Sequence, residues 1–213
     1  MTTSNDKPVI ILGAGGHAKV VAEVLKVCGH EIIGLLTPDE EPGDRCFGVK
    51  VLGDDDAIAS FLPDEVVLAN GIGFLPGENL RWRLASKMRN QGYNFIKVIH
   101  PSAIIAEDII FGDGVHVLER AVIQPGVMVG RDSIINTGAI INHDCKIGEE
   151  CHMAPSVTLG GNVVVGSKSY LGIGANVIQN ILIGMGSVVG AGSIVCKNLE
   201  NNVKFIQPRV QKM

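Results

Sequence analysis

Aromatic side chains are scarce in this 213-residue chain: one Trp, two Tyr and six Phe, 4% in all. A core built on large rings is excluded, so whatever is buried must be layered from smaller aliphatic groups. Basic charge is not in excess either. Eighteen Lys and Arg against 22 Asp and Glu leave a net charge of −4, which excludes the cationic surface expected of a nucleic-acid or anionic-membrane binder. No apolar run approaches the roughly 20 residues of a membrane span. The polar start Met1–Lys7 leads straight into a short apolar run, unlike a secretory signal, and the expected compartment is the cytoplasm. Five cysteines, an odd number, lack the paired spacing of a zinc site or a disulfide framework, so no metal is expected.

What is abundant is glycine, 27 residues, and a repeat. From Ile105 to Val195 an apolar residue falls on every sixth position without a miss, sixteen in succession. The position two before each is small or β-branched throughout, and Cys145 and Cys151 stand there, which makes them packing residues. The position after each is Gly eight times and Asn at 136 and 142; these are expected to serve corners with positive φ. Period six is neither helical nor simple strand alternation and marks a repeat architecture. Three hexads make one triangular coil of eighteen residues, and the run makes about five coils of a parallel β-helix.

Ahead of the repeat, the pattern predicts strands at Val9–Leu12, Glu31–Leu36, Val66–Ala69 and Phe95–Ile99. Helices are predicted at 18–28, 54–61 and 78–91, the last with Leu80, Leu84 and Met88 on one face. The alternation implies a small, mainly parallel sheet. The fold class is therefore an N-terminal α/β, Rossmann-like half-domain followed by a parallel β-helix of hexapeptide repeats. The expected divisions are 1–99, 100–198 and a tail 199–213, with 204–208 folding back over the last coil. His100 reads as part of the connector.

Gly13-Ala14-Gly15-Gly16-His17-Ala18 fits the G-x-G-x-x-A loop that lets backbone approach a phosphate at a helix N-terminus. A unit of about a hundred residues supplies one mononucleotide-binding half, so a nucleoside diphosphate is expected in place of NAD. Asn70-Gly71-Ile72-Gly73 would lie at the same carboxyl edge of the sheet. In the repeat, His143 falls on a corner and must point outward. Pro125 and Gly161, eighteen residues to either side, are both short and leave room for a ligand. An imidazole suits general-base work, and Asp144 can fix its tautomer. His152 lies nine residues on, half a coil, which puts it about 15 Å away at 3.3 Å per strand residue. For both to serve one site, a neighbouring subunit must supply one, as a closed trimer does.

The motifs Gly13–His17, His100-Pro101-Ser102-Ala103, Ile135-Asn136-Thr137-Gly138, Asn142-His143-Asp144-Cys145 and Cys151-His152 together resemble the bacterial N-acetyltransferases of nucleotide-linked 4-amino-4,6-dideoxy sugars. The resemblance covers nearly the whole chain and implies a left-handed coil, acetyl-CoA as co-substrate and a homotrimer. It implies His143 as the base toward the sugar amine, with Asp144 as its partner. Asn136 would lie near that amine, and Gly15, Gly16, His17 and Gly71 would hold the nucleotide-sugar, UDP-linked by preference. His152 and the stretch around Ile173 would contact acetyl-CoA. The chain departs from that pattern at Leu36-Thr37-Pro38, where an Asp-Asp pair is usual beside the nucleoside, at the second glycine loop, and at 205–209. A sialic-acid-type O-acetyltransferase would need the same His143. A zinc hydratase using His116, His143 and His152, or a silent nucleotide-binding trimer, are readings from other classes.

Overall fold

The computed structural model describes residues 7–207, and the chain divides into two compact units at Pro101/Ser102. In the first unit β1 (Val9–Leu12) is fully buried along its whole length, as a central parallel strand covered on both faces must be. β1 pairs in parallel with β2 (Ile32–Leu36) on one side and, after the hairpin β3 (Arg45–Cys46) and β4 (Val49–Gly53), with β5 (Val67–Asn70) on the other. The sheet order is β3-β4-β2-β1-β5, parallel except for the antiparallel β3–β4 pair. Phe47 and Gly48 turn the hairpin with positive φ.

Helix α1 (Gly16–Val27) buries Ala18, Val21, Ala22, Val24 and Leu25 on one side. It stops at Gly29, whose φ of 78° lets the His30 N–H donate to the Leu25 carbonyl. Helix α2 (Leu80–Asn90) buries Arg81, Leu84, Ala85 and Met88. Leu80, expected on that face, is exposed, and Arg81 occupies the inner position because backbone carbonyls of the neighbouring loop accept its guanidinium. The predicted strand Phe95–Ile99 shrinks to a bridge between Phe95 and Leu68 and the two-residue strand Val98–Ile99.

The second unit is a parallel β-helix whose strands pair every eighteen residues: Val122 with Ile140, Met128 with Lys146, Ile134 with His152. Each strand has two residues, the first outward and the second inward. From Val117 to Val195 every inward residue of the hexad is buried, as are its small companions from Val115 to Ser193. Each such aliphatic side chain contributes about 1.5–3 kcal/mol of burial.

The corner chemistry differs from the expectation. Positive φ falls three residues after the inward apolar position, at Arg120, Asp132, Asp144 and their equivalents, and not at the Gly or Asn that follows it directly. Those glycines serve close approach: a Cβ on Gly148 or Gly160 would lie within 2.6 Å of a backbone nitrogen in the next coil. Asn142, likewise, is not the left-handed residue; Asp144 is.

The β-helix also runs further than Val195. Leu199 bridges Ile183, and Lys204–Phe205 pairs with Val188–Val189, so these residues extend the coil where a fold-back was expected. The inward step from Val195 to Leu199 is four residues, which hides the continuation from a six-residue count. One side-chain amide closes the edge at Ile194: its N–H donates to Gln207 Oε1 and Gln207 Nε2 donates to the Ile194 carbonyl, covering an edge that would otherwise invite pairing. Pro208 and Arg209 lie outside the described residues.

Candidate functional site

His143 and Asp144 are built by the corner that follows the strand Ile140–Ile141. Backbone hydrogen bonds fix the turn between its neighbouring coils: the Asp144 N–H donates to the Pro125 carbonyl (3.0 Å) and the Asn162 N–H to the His143 carbonyl (2.8 Å). Asp144 holds φ 61°, a conformation that Asp tolerates better than most residues. The His143 N–H reaches Gln124 Oε1 at 3.3 Å, and Asn142 Nδ2 donates to the Leu159 carbonyl.

Two glycines supply the space. A Cβ on Gly161 would lie 2.5 Å from His143 Nε2, and a Cβ on Gly126 would lie 2.6 Å from Asp144 Oδ1. The imidazole thus lies against the bare backbone of one neighbouring coil and the carboxylate against that of the other. His143 Nδ1 sits 2.8 Å from Asp144 Oδ2, with both side chains largely exposed. The carboxylate can only accept, so Nδ1 donates to it, which leaves Nε2, beside Gly161, as the ring nitrogen available to a substrate. That is the arrangement of a general base with an orienting acid.

Asn136 and His152 form a second cluster on another side of the coil. Asn136 Oδ1 accepts from the Thr137 N–H at 2.8 Å, which directs the amide nitrogen to His152 Nε2 at 3.1 Å. His152 Nε2 is therefore the acceptor of that contact. It is buried and packs edge-to-face on Tyr170, 5.2 Å between centroids. Ile173, on the next coil's corner beside Gly174 (φ 65°), is exposed. His143 lies at one end of the face carrying Ile140–Ile141, and Asn136 and Ile173 lie at its other end; this coil does not bring them together. Of the remaining histidines in the coils, His116 lies outward in the same stack as His152, apart from His143. Among the described residues no group of three His, Cys, Asp or Glu converges as a metal site would require.

The first unit gathers its loops at the carboxyl ends of β1, β2 and β5. Gly13 has φ 90°, and a Cβ there would strike Ile72 Cδ1 at 2.6 Å. Gly15 and Gly16 have no atom within 4 Å of the point a Cβ would occupy, leaving open space at the N-terminus of α1, where an anion is favoured. His17 follows in the first helical turn, half-buried. Gly71 is different: its missing Cβ is filled by Ala18 and the Leu12 carbonyl, both within 3 Å, so it lets loop and helix touch. Thr37 is buried, accepts from the Asp39 N–H at 3.3 Å and donates toward the Asp39 carboxylate at 3.5 Å. A carboxylate therefore stands just beyond β2, three residues after its last residue, Leu36. Arg81, Gln124 and Gly126 were not singled out by the sequence, because each is defined by a partner at least nine residues away.

The chain matches the family model of the PglD N-terminal domain over residues 8–88 and that of the bacterial transferase hexapeptide (six repeats) over residues 126–161. It is 33% identical over 115 residues to UDP-N-acetylbacillosamine N-acetyltransferase from Bacillus subtilis (strain 168), a segment spanning 51% of this chain and 50% of that protein. Among solved structures, it is 37% identical to a histidine-to-asparagine mutant of perosamine N-acetyltransferase from Caulobacter crescentus in complex with CoA and GDP-perosamine. That match has a TM-score of 0.87 and covers 94% of this chain and 93% of the other. The acetyltransferase domain of PglB from Neisseria gonorrhoeae FA1090, in complex with acetyl coenzyme A, matches with TM-score 0.85 and 29% identity over 92% of this chain and 94% of that one.

Proposed function

The chain belongs to the family of acetyl-CoA-dependent sugar N-acetyltransferases, and on that footing we propose that it moves an acetyl group from acetyl-CoA to the 4-amine of a nucleotide-linked 4-amino-4,6-dideoxyhexose. The single observation that carries this reading is the His143–Asp144 pair, 2.8 Å apart and lying against Gly161 and Gly126. The glycine loops of the first unit are the expected hold on the nucleotide, through Gly15, Gly16 and His17. UDP is the nucleotide expected from the sequence, and the near full-length match to a protein in complex with GDP-perosamine puts the GDP-linked sugar beside it.

In this reading His143 Nε2 takes a proton as the amine attacks the thioester carbonyl, and Asp144 holds the ring through Nδ1. The tetrahedral intermediate collapses with release of CoA thiol, and no covalent enzyme intermediate forms. His152, Asn136 and Ile173 serve the coenzyme and the amine from a neighbouring protomer. A trimer fits the surface of the coil. The face between the two corners carries outward Ile104, Ile140 and Ile194, all exposed in the single chain. Turning that face to a three-fold axis sets the His143 corner of one protomer beside the Asn136 and Ile173 corner of the next. The proposed compartment is the cytoplasm, where acetyl-CoA is available; no helix among the described residues is long and apolar enough to cross a membrane.

The test is thiol release from acetyl-CoA with UDP-, GDP- and dTDP-linked 4-amino-4,6-dideoxy sugars and their 4-hydroxy counterparts. Release with one amine and none of the alcohols is the expected result. Release with hydroxyl acceptors alone would instead make the enzyme an O-acetyltransferase.

A further inference from the structure

The helix α2 contributes one buried charge that the reaction as described does not use. Arg81 is 3% exposed, and its Nη1 donates to two carbonyls of one loop, Asn70 at 2.8 Å and Ile72 at 2.6 Å. Asn70 answers it: its Nδ2 donates to the Arg81 carbonyl at 3.1 Å, while its Oδ1 accepts from the Ile72 N–H at 3.1 Å. The loop and the first turn of α2 are thus tied in both directions, and the adjacent Trp82 packs edge-to-face on Phe74, 5.1 Å between centroids.

That loop leads directly to the nucleotide-binding edge. Asn70 pairs with Leu12 in the sheet, Gly71 abuts Ala18 in the first turns of α1, and Ile72 Cδ1 fills the place of a Gly13 side chain. Any shift of Ile72 must therefore be felt by Gly13 and the α1 N-terminus. The guanidinium keeps its charge when buried, and the two hydrogens of Nη1 serve the two carbonyls together. It also fixes a positive charge at the sheet edge where a diphosphate would lie.

We propose that Arg81 is a positioning residue for the nucleotide-sugar site, setting the Gly13–Gly16 loop through Asn70 and Ile72 and adding a fixed positive charge to that edge. The proposal rests on the reading of the first unit as the nucleotide-binding part. It is tested with the full chain carrying R81Q, R81K or N70S. Thermal melts, the Kd for UDP and GDP by calorimetry, and KM for nucleotide-sugar and for acetyl-CoA are measured. R81Q is expected to weaken nucleoside diphosphate binding and raise the sugar KM about tenfold or more, the scale of one charge-assisted contact. The acetyl-CoA KM stays within about twofold of wild type, since that contact is elsewhere. R81K and N70S, which keep the charge and lose part of the tie, fall between. Folded R81Q and N70S that bind the nucleotide as wild type does would overturn the proposal. So would failure of all three to fold, which would assign Arg81 to stability alone. A wild type that binds UDP or GDP and loses it on R81Q, yet acetylates no amino sugar, would overturn the acetyltransferase reading and leave this one standing.

Discussion

Gly161 shows how a residue without a side chain can define a site. A methyl group there would stand 2.5 Å from His143 Nε2, and the imidazole, being the free end of an exposed side chain, is what must give way. Gly161→Ala is therefore expected to fold with an almost unchanged melting temperature and to lose on the order of 100-fold in kcat, the cost of misplacing a catalytic group by about an ångström. Steady-state kinetics beside a melting curve checks this; a wild-type kcat would mean that the imidazole's position is unimportant. The cysteines offer a second check on the packing. Burial pushes the Cys151 thiol up to about 12 and raises that of Cys145 as well, so neither presents a thiolate at neutral pH. Cys28 and Cys196, both exposed, are expected to react with an aromatic disulfide reagent in the native protein, and Cys145 and Cys151 only after denaturation. Peptide mapping of the labelled protein decides; rapid native labelling of Cys151 would contradict the buried assignment.

At the scale of the element, the coils depend on glycines whose partners are backbone. A Cβ on Gly160 would meet Gln179 N at 2.5 Å and the Ile178 carbonyl carbon at 2.9 Å, and a stacked coil cannot yield as a side chain does. Gly160→Ala is expected to cost about 1–3 kcal/mol, in the range of overpacked cores. At about 2–4 °C per kcal/mol for a chain of this size, that lowers the melting temperature by several degrees. An unchanged melt would refute close approach as the reason for glycine there. This reason was not legible in the sequence. The six-residue period is local and strict, so the β-helix and its inward positions could be read directly, whereas the contact that demands Gly160 is set by a residue nineteen positions away. The same limit explains the other departures. Leu199 continues the coil after a shortened step, and the hairpin Arg45–Gly53, whose first strand has only two residues, is too short to stand out although Val49 and Val51 flank Lys50 in strand alternation. Arg81 takes an inner position on α2 only because the carbonyls of Asn70 and Ile72 await it. The outward corner position of His143 could be read for the opposite reason: Gly161, which leaves room beside it, lies eighteen residues on, at a spacing the repeat itself announces, whereas Gly126 beside Asp144 was missed.

At the scale of the whole molecule, two compact units would take separate parts in the proposed reaction, the first with open glycine backbone for a nucleotide and the second with a corner histidine as base and an apolar face. That face carries the expectation of assembly. Replacing Ile140 by Glu puts a charge where three copies are held to meet, and burying it unpaired costs more than such a contact can return. The variant is expected to elute as a monomer by light scattering and to lose acetyl transfer, since His143 then has no neighbouring corner. A trimeric, active variant would remove this face from the assembly. The most direct test of the account as a whole is the turnover of His143→Ala against wild type on whichever nucleotide-linked amino sugar the wild type accepts. Both proteins are followed by thiol release and confirmed as folded by their melts. The account predicts a fall in kcat of at least about 100-fold, the usual contribution of a general base. A variant that keeps more than a third of the wild-type kcat would contradict it and would place the base away from this corner.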